Sequence, residues 1–415
     1  MTMAYERCAL GTRDLPMFFG DEHAELAARA RTFALDTLGP GEDRLSAGGP
    51  LSEQALGERC KSIAWELGKL GFLQAVVPPE NGGLSHARPG ELDVRSVCLI
   101  RENLAWGSAL GEFVFALQGL GSYPIVRAGT EAQRAEFLPA VLEGRALAAF
   151  AITEAEAGSD VGSMKTHARR VGDEYVLNGE KTFISNAGIA AHYVVFATTD
   201  PSRGGRGVSA FVVRPDDAGF EFAGSIPLVA DHPLGTLRFH DLRLSEARRL
   251  GAEGDGIRLA LGTLDVFRST VAAGAVGLAR RAMDEALLRA NTRMQFGKAI
   301  GEFQSVQVYL ADMATELDAA RLLVYRAAYL KDHGADRVTL EAAMAKLFAT
   351  EAAQRIIDRA LQIHGGAGVV RGNVVERLYR EIRAMRIYEG TSEIQRLVIA
   401  GAVLGAERRS RSAAS

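Results

Sequence analysis

Near the end of the chain, Tyr388-Glu389-Gly390-Thr391-Ser392-Glu393-Ile394-Gln395 sets a carboxylate beside a glycine, immediately ahead of a helical repeat. Ser392 followed three residues later by Gln395 has the form of a capping box, and Ile394, Leu397 and Val398 then recur at helical spacing. Glu389 is therefore expected on the turn that enters a helix. Gly390 gives that turn backbone freedom, so main-chain amides can approach a ligand as hydrogen-bond donors. A carboxylate beside such donors can remove a C–H proton next to a carbonyl whose oxygen the amides hold. A solvated glutamate favouring the helix dipole fits the same position, and the residues alone leave both readings open.

Other stretches carry chemistry of their own. Residues 151–160, Ala-Ile-Thr-Glu-Ala-Glu-Ala-Gly-Ser-Asp, form a polar loop of small side chains whose hydroxyls and amides suit the edge of a flat heteroaromatic ring, or make an ordinary β-turn loop. In Asn178-Gly179-Glu180-Lys181-Thr182-Phe183-Ile184-Ser185-Asn186, Phe183 and Ser185 stand two apart on one strand face, as cofactor contacts or as core. Arg293-Met294-Gln295-Phe296-Gly297-Lys298, with Gln304 beyond, makes a basic bend between helices; an arginine fork there suits pyrophosphate, and a solvated loop reads the same. Gln362-Ile363-His364-Gly365-Gly366 offers clustered amides to a phosphate and also serves as a helix C-cap.

Taken in order, these stretches resemble the signatures of the flavin-dependent acyl-CoA dehydrogenases, over roughly residues 18–405. Tyr388-Glu389-Gly390-Thr391 matches the motif whose glutamate is that family's base. The loop at Thr153 resembles Thr-Glu-Pro-Gly-Ala-Gly-Ser-Asp, with Ala155-Glu156 in place of Pro-Gly. The run from Asn178 resembles Asn-Gly-x-Lys-x-(Trp/Phe)-Ile-(Thr/Ser)-Asn, and the bend at Arg293 resembles Arg-x-x-Phe-Gly-x-x-Ile…Gln. The resemblance implies Glu389 as catalytic base and FAD as cofactor. It implies contacts to FAD from Ile152, Thr153, Phe183, Ser185, Gln362, Gly365, Gly366, Thr391 and Glu393, and from Arg293, Gln295, Phe296 and Gln304 across a subunit boundary. Substrate contacts would come from Ser159, Phe267, Arg268 and Gly390, with no metal. Some relatives carry the base just before the arginine of a Leu-Asp-x-x-Arg segment; here that segment is Leu264-Asp265-Val266-Phe267-Arg268, so Phe267 occupies the alternative position. The loop at residues 228–235 lacks the family's usual Arg, Ser and Thr, which bears on how a CoA or carrier-protein arm is gripped.

The elements that must position these groups follow from period and punctuation. With 415 residues the chain has room for two or three domains and a large core. Amphipathic helices are expected at 21–38, capped by Asp21 and stopped by Gly39-Pro40, at 52–70, 92–106 and 112–120, and after Thr130 with its Gln133 box. From Ala149 short β-rich runs take over, with Asn178-Gly179 as the clearest hairpin turn. Long helices return at 259–292, 304–334, 340–364 and 392–404. The expected fold is α+β and multidomain: an N-terminal α-helical domain over 17–148, a middle β-barrel or sandwich domain over 149–256, and a C-terminal four-helix bundle over 257–408.

A net charge of −3 gives no case for nucleic acid. Cys8, Cys60 and Cys98 stand at unrelated spacings, making neither a metal motif nor a disulfide framework, and a reducing cytoplasm fits best. Residues 1–16 hold no apolar stretch of signal-peptide length, no segment nears about 20 uninterrupted apolar residues, and the basic end at 407–411 reads as a frayed tail. The expected activity is α,β-dehydrogenation of an acyl thioester, acyl-CoA or acyl-carrier-protein. Electrons would pass to an electron-transferring flavoprotein, and the assembly would be a homotetramer. Alternatives are an oxygen-using oxidase of the same fold and a catalytically silent binding or assembly protein.

Overall fold

The computed structural model describes residues 11–46 and 51–414; Cys8 and the side chains of the basic run at 407–411 lie outside what is described. Its helices are α1 (Asp21–Phe33), α2 (Gly39–Ser46), α3 (Glu53–Lys69), α4 (Val94–Gly107), α5 (Ala109–Ala128), α6 (Glu131–Leu142), α7 (Gly256–Thr292), α8 (Gln304–Asp332), α9 (Thr339–His364), α10 (Val374–Met385) and α11 (Ser392–Ala414). Cα packing groups the chain into two compact units, one made of Leu51–Asp93 with Phe113–Phe267, the other of the remaining described residues.

The first unit carries an eight-stranded sheet built from β1 (Ala148–Ala151), β2 (His167–Val171), β3 (Glu174–Ser185), β4 (His192–Thr198), β5 (Val208–Val213), β6 (Phe220–Ser225), β7 (Leu234–Ser245) and β8 (Arg249–Leu250). The order is β6-β7-β3-β2-β4-β5-β8, with β1 parallel to β4. Every residue of β4 and β5 is buried, as their near-continuous apolar runs require. Ser52 caps α3 by accepting from the Ala55 amide at 3.2 Å. Thr130 and Gln133 form both bonds of the expected box on α6, at 2.7 and 3.2 Å.

Asn178-Gly179 is not a hairpin turn. Both lie inside β3, where the register against β7 slips between Leu177 and Gly179, and the turn falls instead at Gly172-Asp173. Asn178 Nδ2 donates to Asp241 Oδ1 at 3.0 Å, and Asn178 Oδ1 accepts from the Asp241 amide at 2.9 Å. Gly179, at φ 139°, passes so close to Thr166 that a Cβ would lie 2.7 Å from its Cα. The dipeptide that usually reverses a chain here makes a β-bulge, because strands on both sides hold it extended.

In the second unit α9 packs along α8 and carries α10 and α11, while α4 lies against α1 and α8. Four helices are expected here from spacing; α10, opened by Asn373, is an additional one. Asp21 is the first residue of α1 rather than its cap: Gly20 precedes it, its amide donating to His23 Nδ1 at 3.1 Å. Gly39-Pro40 does not stop the chain, which passes through a π-helical turn at Ala34–Leu38 into α2, with Pro40 in that helix's first turn where a missing N–H is tolerated. Both α5 and α7 are long and apolar enough, by length and composition, to cross a membrane, and most of each apolar stretch is buried within the protein.

Candidate active site

The turn ahead of α11 is left-handed twice over, with Glu389 at φ 52° and Gly390 at φ 92°. Glycine adopts this readily; a glutamate does not, and a non-glycine residue held there costs on the order of 1–3 kcal/mol that the surroundings must supply. Gln395 supplies part of it by donating from Nε2 to the carbonyls of Glu389 at 3.2 Å and Gly390 at 3.0 Å. This replaces the expected Ser392 box: the cap is Thr391, whose Oγ1 accepts from the Ile394 amide at 3.3 Å. Ser392 Oγ turns instead to Glu351 Oε1 at 2.6 Å. Among the described residues the amides of Glu389, Gly390 and Thr391 meet no acceptor. Gly390→Ala should strain the turn, since its Cβ would stand 2.5 Å from Gln395 Nε2 at a φ that disfavours any side chain. We expect a loss of roughly 1–3 kcal/mol in thermal unfolding; an unchanged Tm would contradict this geometry.

Around the carboxylate the helices set a buried charge cluster. Glu389 Oε2 is buried without a hydrogen-bond partner among the described residues. Burial pushes the Glu389 carboxyl above its ordinary range, the charges of Arg101, Lys346 and Arg268 oppose this, and Glu112 adds to it. Arg101 and Glu112 form a buried ion pair, and Arg101 Nη1 also donates to Thr270 Oγ1 at 2.7 Å. Lys346, fully buried on α9, donates from Nζ to the Gly390 carbonyl at 2.8 Å. Burial pulls its ammonium down to about 8, against the opposing field of Glu389. Five residues on, Glu351 accepts from Arg386 Nε at 3.0 Å and from Ser392, so α9 grips both flanks of the turn.

In the sheet-bearing unit, Thr153 and Phe183 come together through a hydrogen bond from the Thr182 amide to the Thr153 carbonyl, 3.0 Å. A second register slip between Lys181 and Ile184 places Phe183 at φ 55°, with 56 % of the residue exposed, beside half-buried Ser185. Lys181, fully buried, holds the loop to β3 through the Ile152 carbonyl at 3.0 Å and Glu154 Oε1 at 2.8 Å. Burial opposes the charge on Glu154, yet Lys181 and the amides of Lys165 and Thr166 hold its carboxyl below the ordinary value. Ser159 is exposed on the same loop. Phe267 is fully buried, its ring edge-on to Tyr123 at 5.8 Å and filling the space that Gly119 leaves.

Arg293, Gln295 and Phe296 stand on an exposed hairpin, β9 (Met294–Gln295) with β10 (Lys298–Ala299), where Phe296 is 93 % exposed at φ 50°. Gln304 opens α8, also exposed. Gln362, Gly365 and Gly366 are exposed at the end of α9; a Cβ on either glycine would meet nothing within 4 Å, and the Gly365 amide also caps the helix through the Gln362 carbonyl. Thr391 and exposed Glu393 flank the Glu389 turn. Among the described residues, the hairpin and the α9 end share no hydrogen bond with that turn.

Spacing singled out neither Lys346 nor the Arg101–Glu112 and Lys181–Glu154 pairs. The available signal was a charge where apolar residues belong: Lys346 falls on the buried stripe of Ala342, Ala345, Ala349 and Ala353.

A carboxylate oxygen buried without a partner on a strained turn, with open amides beside it, is an arrangement suited to accepting a C–H proton next to a carbonyl. Three family profiles match along the chain: acyl-CoA dehydrogenase N-terminal domain at 20–145, middle domain at 149–242 and C-terminal domain at 254–404. The chain belongs to the acyl-CoA dehydrogenase family. It is 38 % identical over 391 residues to a 3-(aryl)acrylate reductase of Clostridium sporogenes, covering 94 % of this chain and 100 % of that one. It is 37 % identical over 396 residues to the caffeyl-CoA reductase-Etf complex subunit CarC of Acetobacterium woodii, covering 94 % and 100 %. Butyryl-CoA dehydrogenase of Megasphaera elsdenii superposes with a TM-score of 0.85 at 35 % identity, over 93 % of this chain and 99 % of that one.

Proposed function

We propose that this protein is an FAD-dependent acyl-CoA dehydrogenase in which Glu389 is the base, and that the single observation carrying this is the buried, unpartnered Glu389 Oε2 on its left-handed turn. Glu389 takes the α-proton of an acyl thioester onto that oxygen. The thioester oxygen, gaining negative charge as the Cα–H bond breaks, accepts from the open Glu389 amide. Burial raises the Glu389 pKa, and Arg101, Lys346 and Arg268 oppose that rise by favouring the carboxylate. Ser159, Phe267, Arg268 and Gly390 are the substrate contacts in this reading.

The residues fit FAD. In the sheet-bearing unit Phe183 is an aromatic held out from its strand near Thr153, Ile152 and Ser185, suited to the ring; in the other unit Gly365-Gly366 with Gln362 offer open amides, Thr391 and Glu393 flank the Glu389 turn, and the Arg293 hairpin with Gln295, Phe296 and Gln304 offers a guanidinium and an exposed ring to the FAD of a neighbouring subunit. When bound, FAD supplies the acceptor for the β-hydrogen and its electron pair. A homotetramer, a cytoplasmic location, the domain bounds 17–148, 149–256 and 257–408, and an electron-transferring flavoprotein as acceptor belong to this reading; the Etf-complex relative supports the last.

Two relatives named as reductases favour a second reading, the same residues working in reverse, with Glu389 returning a proton to the α-carbon of an enoyl thioester. Anaerobic titration separates the two. FAD-loaded protein should bleach with butyryl-CoA or 3-phenylpropionyl-CoA, forming products two mass units lighter; chemically reduced protein reoxidised faster by cinnamoyl-CoA would favour the reductase. Inertness to all of these and to acyl-carrier-protein thioesters would reject both. The rate should fall as pH drops through the raised Glu389 pKa, because only the carboxylate accepts a proton.

A further inference from the structure

We propose that Lys346 is a positioning residue for this reaction: its buried ammonium clamps the Gly390 carbonyl and so fixes the left-handed turn that aims the Glu389 carboxylate. The inference rests on the dehydrogenase reading above for its catalytic half and on geometry alone for the clamp. Nζ lies 2.8 Å from the Gly390 oxygen and finds no other acceptor among the described residues. Lysine is almost never buried without a strong partner, since its ammonium leaves water at a cost of several kcal/mol. Here the partners are one carbonyl and the field of Glu389.

The turn needs such a clamp. Two consecutive residues in left-handed conformation resist extension into α11, and Gln395 holds their carbonyls from one side only. Lys346 reaches the Gly390 oxygen from α9, which is anchored again through Glu351 to Arg386 and Ser392 at either end of the turn. The same ammonium acts on charge. Glu389 is faced by Arg101 from α4, Glu112 from α5, Arg268 from α7 and Lys346 from α9. Lys346 is faced in turn by Glu389, Arg268, Glu351 and Glu393. Arg101 is also engaged with Glu112 and Thr270, and after it Lys346 is the cation that acts most on Glu389.

Two substitutions separate position from charge. Lys346→Met removes both; Lys346→Gln keeps a donor for the Gly390 carbonyl and removes only the charge. The first measurement is amide hydrogen exchange of FAD-loaded protein over residues 389–395, where the hydrogen-bonded amides are Ser392, Ile394 and Gln395. Lys346→Met should exchange there about tenfold faster while Lys346→Gln stays near wild type. The second is anaerobic flavin reduction by butyryl-CoA across pH. Lys346→Met should lose roughly 10²-fold in kcat with little change in KM, the scale of a base displaced by about 1 Å. In both variants the acid limb should move to higher pH, because a cation that lowered the Glu389 pKa is gone; a merely structural lysine would not move it. Wild-type exchange in Lys346→Met, or equal exchange and an unmoved acid limb in the two variants, would overturn the proposal. A wild-type protein inert to acyl thioesters would reject the dehydrogenase reading, while the exchange comparison would still decide the clamp.

Discussion

Glu389→Gln should keep its fold and its flavin and lose nearly all reduction by substrate. The amide has the shape of the carboxyl and leaves the Gln395 and Lys346 contacts intact, since both fall on backbone carbonyls rather than on the side chain. What disappears is the proton acceptor, and removing a general base costs typically 10²–10⁴-fold. The field also changes: Lys346 loses the anion that opposes its deprotonation, so its ammonium should give up its proton at lower pH than in wild type. The measurement is stopped-flow anaerobic bleaching at matched FAD content. A rate within about threefold of wild type would mean that another group takes the proton. Phe267 cannot do so, and Glu112 is held by Arg101.

Lys181→Met should have the largest effect on stability. The ion pair of Lys181 with Glu154 is buried on both sides and ties the Thr153 loop to β3, with the ammonium also on the Ile152 carbonyl. Removing one member of a buried pair strands the other charge, at roughly 3–5 kcal/mol, which lowers Tm by roughly 10 °C. Adding Glu154→Gln should recover much of the loss, because the stranded carboxylate is then neutral. Differential scanning fluorimetry of the two single variants and the double variant tests this. Equal Tm values for Lys181→Met and wild type would show the pair to be inert. The pH dependence carries the same sign. Glu154 has a depressed folded pKa, so its contribution is full above the unfolded carboxylate value and fades as pH falls through the folded one.

Helical and strand periods rest on which residues face a core, and a core is dictated by composition along a short window. That is why the long helices, the apolar β4 and β5 strands and the Thr130 box are legible in the chain. Boundaries and turns were less so. Asn178-Gly179 carries the turn signal of an isolated hairpin, and only β7 lying alongside, with Asp241 ready to pair with Asn178, makes it a bulge. Ser392 and Gln395 have the right spacing for a box; Glu351, distant in sequence, takes the serine hydroxyl and leaves capping to Thr391.

By itself the sequence determined the chemistry on offer: a carboxylate next to a glycine ahead of a helix, an aromatic and a hydroxyl on one strand, an arginine bend, and helical, β and helical segments in that order. Tertiary structure alone decided that one Glu389 carboxylate oxygen is buried without a partner, that the residue's backbone is left-handed, and that Lys346, Arg101, Glu112 and Arg268 converge on it from four other helices. The physical reason is range. Local spacing fixes which face of a helix a residue occupies, whereas desolvation and charge depend on what lies within a few ångströms in space, and those neighbours come from parts of the chain that no short window contains.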